Sequence, residues 1–180
     1  MIAGNVTAVY QTRVKRLLAY SSVAQMGYLL MALAGQSPFS VSAAFFYFAV
    51  YLIMNLAAFL VAIVVANVHY SERLEGYEGL GWKGPQGAFL ASAMAIALFS
   101  LAGIPPFAGF IGKVYLLLAV IRKGPALYWL AGVAVLNTVI SLYYYGRIGK
   151  MMCLSRRVKG APLPPLTSGR SATYAVLAVL

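Results

Sequence analysis

Carboxylates are nearly missing from this chain. Its 180 residues hold three Asp and Glu together, one His and one Cys, and only 9% are charged, against about 25% in an ordinary soluble domain. A single cysteine excludes an intrachain disulfide, and Cys153 has no partner at metal-ligand spacing; it reads as a small apolar filler. A cleavable signal pattern is also missing, because Arg13, Lys15 and Arg16 precede an apolar run too long for a signal core. What fills the chain instead is apolar: 62% of residues are hydrophobic and mean hydropathy is +0.83. The solvent for most of this chain is lipid. A net charge of +11 raises nucleic acid as a partner, but the basic residues flank apolar runs, as they do in short loops between membrane spans. The bilayer, not nucleic acid, is the expected partner.

The expected fold is an all-α polytopic membrane protein, one membrane domain over residues 1–180. Four complete spans are read at about 17–34, 41–68, 88–121 and 126–146, with a partial one at 171–180. That last run is about half of the ~20 residues needed to cross, so the chain reads as a piece of a longer protein. Loop charge sets the orientation. With alternating crossings, Arg13, Lys15, Arg16, Arg73, Lys83, Arg147, Lys150, Arg156, Arg157, Lys159 and Arg170 share one side, and only Arg122 and Lys123 occupy the other. An excess of eleven to two assigns the rich side to the cytoplasm. The three acids, Glu72, Glu75 and Glu78, fall in one loop on that side and read as a solvated loop or short surface helix, the alternative being a dock for a neighbouring subunit. His69 reads as an interfacial residue.

One basic residue is left over, Lys113, and it lies in "SLAGIPPFAGFIGKVYLL". As a straight helix, residues 88–121 would reach about 50 Å in a hydrocarbon core of about 30 Å. Pro105 and Pro106 have no N–H, so the carbonyls of Leu101 and Ala102 lose their helical donors, and Gly103 and Gly109 loosen the same place. Two half-helices with an unwound joint at 103–106 fit both facts; a proline kink in one continuous helix is the alternative. Lys113 lies about 13 Å from the exit at Arg122 by helical rise, too deep for its stem to snorkel out. An ionisable group at that depth costs at least ~2.5 kcal/mol and points to function. Gly109 and Pro106 share its face.

Three polar stripes offer a lining: Ser21, Gln25 and Tyr28; Tyr47, Tyr51 and Asn55; and Asn137, Ser141 and Tyr144 or Tyr145. Each stripe alone is explained by hydrogen bonding between helices. Together with a buried lysine they suggest a shared polar interior in which hydroxyls, amides and water relay protons. No carboxylate of this segment is available to balance the lysine.

"QTRVKRLLAYSSVAQMGYLLMAL" and "LFSLAGIPPFAGFIGKVYLL" resemble the antiporter-like membrane subunits of respiratory complex I, the proton-translocating NADH–quinone oxidoreductase. "FIGKVY" and "LYYYGRI" look most like the subunit N (NADH dehydrogenase subunit 2) family. The resemblance covers essentially the whole chain but only the C-terminal part of such a subunit. It implies most of the second of two inverted five-helix repeats, with Lys113 matching the lysine of the second broken helix, in the terminal part of the proton path. The family's glutamate and two further lysines of the first repeat are absent, so this segment alone could not form a complete path. The family's cytoplasmic start for the "KRLLAYSS" helix agrees with the orientation above. By the same resemblance the chain sits in the cell's inner (cytoplasmic) membrane beside the other membrane subunits of complex I. NADH, flavin, iron–sulfur clusters and quinone are then bound by other subunits, since this chain carries no flavin, iron–sulfur or dinucleotide motif. Two alternatives stay open: a subunit of a multisubunit sodium/proton antiporter, which shares "LAGIPPF", and a truncated bundle that packs without transporting.

Overall fold

Proline opens two of the long helices, because a first-turn residue needs no backbone donor. Pro38 starts α3 (Pro38–His69) and Pro85 starts α4 (Pro85–Ala102). The remaining helices are α1 (Ile2–Val9), α2 (Val14–Leu33), α5 (Ala108–Ile121) and α6 (Tyr128–Cys153). This structure, a computed structural model, describes residues 1–69 and 72–155, and among them it is all-helical apart from turns and an isolated bridge between Arg13 and Arg73. The side chain of His69, the basic run 156–170 and the partial span 171–180 lie outside the described residues.

By length and composition, three stretches are apolar enough to cross a membrane: Pro38–Asn67, Pro85–Ala102 and Pro125–Cys153. Four complete spans were expected. The difference lies in α2, whose Lys15, Arg16, Ser21, Ser22 and Gln25 dilute its apolar run; the stretch expected at 88–121 is counted through α4, and α5 is apolar but only 14 residues long. The third stretch also differs in extent. Expected to end near 146, α6 continues to Cys153, carrying Arg147 and Lys150 in its last turns.

Helix α3 packs on α2, α4 and α5, and α6 packs on α1, α2, α4 and α5. The core between them is filled by Leu17, Leu18, Met94, Leu98, Leu116 and Ile148, all fully buried. Small residues let the backbones close in, as membrane helices require. A methyl group on Gly4 of α1 would lie 2.7 Å from the Ala24 nitrogen of α2, and one on Gly112 of α5 would lie 2.6 Å from the Tyr47 ring of α3. Helix α1 was not expected, since eight residues give no spanning signal; contact with α2 and α6, not propensity, makes it a helix.

The acidic loop, expected as a solvated loop or short surface helix, keeps Glu72 and Glu75 exposed but is docked on the bundle through its apolar residues. It folds into two short 3₁₀ turns, Leu74–Tyr77 and Leu80–Trp82, that bury Leu74, Tyr77 and Leu80. Backbone bonds tie it to the start of α2 (Val14 N–H to Glu72 O, 3.0 Å; Leu74 N–H to Thr12 O, 2.9 Å) and to the end of α6 (Gly79 N–H to Met151 O, 3.0 Å). The Trp82 indole donates to the Cys153 carbonyl at 3.0 Å, and the Ser155 hydroxyl donates to Glu78. Charge pattern could not reveal this, because the apolar residues that anchor the loop are spaced for a 3₁₀ turn. Glu72 pairs with Lys15 at 3.0 Å, and the hydrogen bond from Lys15 holds its carboxyl below the usual carboxylate range. Cys153 is exposed, not core filler, because it falls on the outward side of the last turn of α6, beside the buried Met152.

A lysine seated on a helix break: the candidate functional site

Helix α4 ends at Gly103, whose φ of +81° is open to glycine at little cost. Its N–H reaches Phe99 O (3.1 Å) and Ser100 O (3.0 Å), and the Ile104 N–H reaches back to Phe99 O at 3.1 Å, the closure typical of a glycine-capped C-terminus. Pro105 and Pro106, joined by a cis peptide bond, offer no donors to Leu101 and Ala102. After Phe107 the chain re-enters a helix, α5. The joint is therefore 103–107, one residue longer than expected.

Two contacts hold the halves together. The Gly109 N–H donates to the buried Ser100 hydroxyl at 3.1 Å. Lys113, 5% exposed, donates from Nζ to Leu101 O at 2.9 Å and to Ala102 O at 3.0 Å. The two carbonyls that the prolines deprive of helical partners are the two that the lysine takes. Its third neighbour is the Tyr28 ring, 5.1 Å from Nζ, a favourable place for a cation. Gly103 leaves room for the stem, since a methyl group there would lie 2.9 Å from Lys113 Cδ.

Around this seat the stripes meet, though not all equally. Gln25 donates from Nε2 to the same Leu101 carbonyl at 3.3 Å, and its Oε1 accepts from the Tyr47 hydroxyl at 2.5 Å. Tyr28 reaches Ala134 O at 3.0 Å and the Thr138 hydroxyl at 2.9 Å. Lys113, Gln25, Tyr47 and Tyr28 thus form one connected group. Tyr51 is buried and Asn55 half-buried, and Asn55 accepts a long bond of 3.4 Å from Ser22. Ser21 and Ser141 are buried but donate within their own helices, to Leu18 O and Thr138 O.

Asn137 and Tyr144 belong to a separate cluster around Asn5 of α1, a residue not singled out from sequence. Asn5 Nδ2 donates to Asn137 Oδ1 at 2.9 Å, and the Tyr144 hydroxyl donates to Asn5 Oδ1 at 2.8 Å. A buried polar side chain within "IAGNVTAV" was the available signal. Ser100 and Thr138 were missed as well. Ser100 stands nine residues before Gly109, and Thr138 is three before Ser141 on the polar side of α6. Asn5→Ala strips two buried polar groups of partners, each worth about 1–3 kcal/mol. Thermal unfolding of the full-length protein should show a loss of about 2 kcal/mol or more.

Residues 1–141 match the family described as "NADH:quinone oxidoreductase/Mrp antiporter, TM". The chain belongs to this family. Among curated relatives, NADH-quinone oxidoreductase subunit N 2 of Chloroherpeton thalassium is 44% identical over 161 residues, which is 89% of this chain and 31% of that protein. Among solved structures, a chain of respiratory complex I from Thermus thermophilus with bound aureothin aligns at 32% identity and a TM-score of 0.74. It covers 99% of this chain and 38% of its own. A chain of the Mrp complex from Dietzia sp. DQ12-45-1b aligns at 32% identity and a TM-score of 0.74 over 89% of this chain and 28% of its own. This member of the NADH:quinone oxidoreductase/Mrp antiporter family therefore spans about a third of the length of the curated relatives it matches. The family is one of multi-pass integral membrane subunits, which suits helices whose outward faces carry Leu30, Phe45, Trp129, Leu136 and Tyr143.

Proposed function

We propose that this chain is a proton-conducting part of a membrane subunit of NADH-quinone oxidoreductase, with Lys113 as the group that takes up and releases the proton. The seat of Lys113 carries the proposal. A protonated lysine has three N–H donors. Leu101 O and Ala102 O hold two of them. When the third proton leaves, the amine keeps both carbonyl bonds and gains a lone pair that can accept a proton back. The site can change charge without moving its side chain, which keeps the reorganisation cost low. Gln25, Tyr47 and Tyr28, with Ser21, Tyr51, Asn55, Asn137, Ser141 and Tyr144 further out, supply the polar surroundings. Gly103, Pro105, Pro106 and Gly109 build the break that frees the carbonyls.

In this reading residues 1–180 are one membrane domain, and α4 and α5 form one discontinuous crossing among four complete ones. Irregular backbone at membrane depth is tolerated where it is buried in protein or lines a wet cavity. Redox chemistry belongs to other subunits, which bind NADH, flavin, iron–sulfur clusters and quinone, and the neighbours of this chain are the other membrane subunits. A sodium/proton antiporter subunit is the second reading, supported by the likeness to the Mrp complex. The lysine in "FIGKVY" favours the first. Vesicles carrying the full-length subunit in its complex should acidify on NADH oxidation at the same rate with or without sodium; a requirement for sodium would favour the second reading.

The loop ends give a topology to test. With Cys153 replaced by Ser in the full-length subunit, a cysteine at Gln86, exposed at the start of α4, should react with an impermeant thiol reagent only after the cytoplasmic face is opened. One at Lys123, exposed after α5, should react in intact cells. The reverse pattern would invert the proposed orientation.

A further inference from the structure

Lys113 is buried, and a charge taken that far from water needs compensation to be tolerated. The acids of this chain, Glu72, Glu75 and Glu78, sit in the loop docked on the start of α2 and the end of α6. Among the described residues no carboxylate lies within 4.0 Å of Nζ, and Glu72 is paired with Lys15. What meets the ammonium instead is two carbonyls and a ring. Leu101 O and Ala102 O, at 2.9 and 3.0 Å, belong to the last turn of α4, the negative end of a helix dipole. The Tyr28 ring lies beneath Nζ, its centroid 5.1 Å away, within the ~6 Å over which a ring face attracts a cation.

The two kinds of contact treat the two forms of lysine differently. A carbonyl accepts an N–H bond from the ammonium and from the neutral amine alike. A ring face carries negative charge density, so it attracts the ammonium, gives the amine little and opposes its lone pair. Tyr28 can present that face because its hydroxyl is engaged elsewhere. The oxygen is held on α6, 3.0 Å from Ala134 O and 2.9 Å from the Thr138 hydroxyl, and the residue is 2% exposed. The ring is thus fixed at both ends, by α2 through the backbone and by α6 through the oxygen. We propose that Tyr28 is a positioning residue that acts through its ring: the ring face stands in for a carboxylate and holds the added proton on Lys113, while the hydroxyl only fixes the ring and carries no proton. This inference rests on the reading of Lys113 as the proton-exchanging group and assigns the partner of its charged state.

Ring and hydroxyl separate in the full-length subunit, assembled in its complex, with protons moved per electron measured in vesicles. Tyr28→Phe keeps the ring and should pump within about threefold of the parent, since phenylalanine also attracts cations. Tyr28→Leu removes the ring and should lower pumping about tenfold, a factor within reach of a desolvated cation–π contact. Tyr143→Leu, on the outward face at 63% exposure, should pump like the parent. Phenylalanines bearing successively more ring fluorines, installed in place of Tyr28, keep the shape and draw charge off the face, so pumping should fall stepwise along the series. A ring needed only for packing would not respond to fluorine, and the series decides the matter if Tyr28→Leu does not assemble. Tyr28→Phe as damaging as Tyr28→Leu, or even pumping along the fluorine series, overturns the inference. If Lys113→Ala abolishes pumping while Tyr28→Leu pumps like the parent, this inference alone falls. If Lys113→Ala itself pumps normally, the reading of Lys113 falls and this inference with it.

Discussion

Lys113→Ala in the full-length subunit is expected to lower proton pumping by about two orders of magnitude, the scale on which a positioned proton-transfer group contributes. The change removes the proton site and leaves the carbonyls of Leu101 and Ala102 without the donor they now have at 2.9 and 3.0 Å. Leu101 O keeps its bond from Gln25 at 3.3 Å, but the orphaned Ala102 O costs about 1–3 kcal/mol, so the amount of assembled complex must be measured beside the activity. Quinone reduction falls with pumping where the two are coupled, and the decisive reading is protons moved per electron. Lys113→Arg separates the two roles of the side chain. Guanidinium retains the charge and can donate to both carbonyls, but it does not release a proton at accessible pH. Both variants should therefore fail to pump. Pumping restored by arginine would mean that a fixed charge is enough, and a normal proton ratio with alanine would leave Lys113 a structural lysine.

Gly109→Ala should be nearly as damaging, for a purely steric reason. A methyl group on Gly109 would lie 1.9 Å from the Ser100 carbonyl oxygen and 2.7 Å from its carbon. Backbone atoms cannot swing aside as a flexible side chain can, so the start of α5 must move away from the end of α4. That motion breaks the Gly109 N–H bond to the Ser100 hydroxyl and draws Lys113, one helical turn further on, off its two carbonyls. Overpacking of this kind costs about 1–3 kcal/mol, and the misplaced amine should reduce pumping on the order of a hundredfold. Gly132→Ala and Gly146→Ala provide controls, since a methyl group at either position meets nothing within 4 Å; both should stay within about 0.5 kcal/mol of the parent. An assembled Gly109→Ala variant that pumps normally would show that the close approach of α4 and α5 does not set the position of the lysine.

Composition and periodicity were enough for the helical class, the long apolar runs, the break at Pro105 and Pro106 and the isolation of Lys113. These are local or additive properties: a proline lacks its N–H wherever it stands, and a deep lysine costs free energy whatever surrounds it. From the missing donors it also followed which carbonyls would be free, Leu101 and Ala102. The face of each polar stripe was legible too, because helical spacing places Ser21, Gln25 and Tyr28 on one side of α2. Which stripes touch was not. Only the packing of α2, α3 and α6 around α4 and α5 decided that Gln25, Tyr28 and Tyr47 would gather at the lysine while Asn137 and Tyr144 turned to Asn5. Spacing along one helix says nothing about the distance to a residue more than 100 positions away, such as the 2.9 Å between Asn5 and Asn137. Docking of the acidic loop through Leu74 and Tyr77, helix α1 and the extra turns of α6 depended in the same way on surfaces that exist only once the chain has folded. Most directly, the amine of Lys113 lies on the carbonyls eleven and twelve residues behind it because the cap at Gly103 and the clearance at Gly109 turn α5 back against α4, and that closure is a property of two helices in contact, not of either one's sequence.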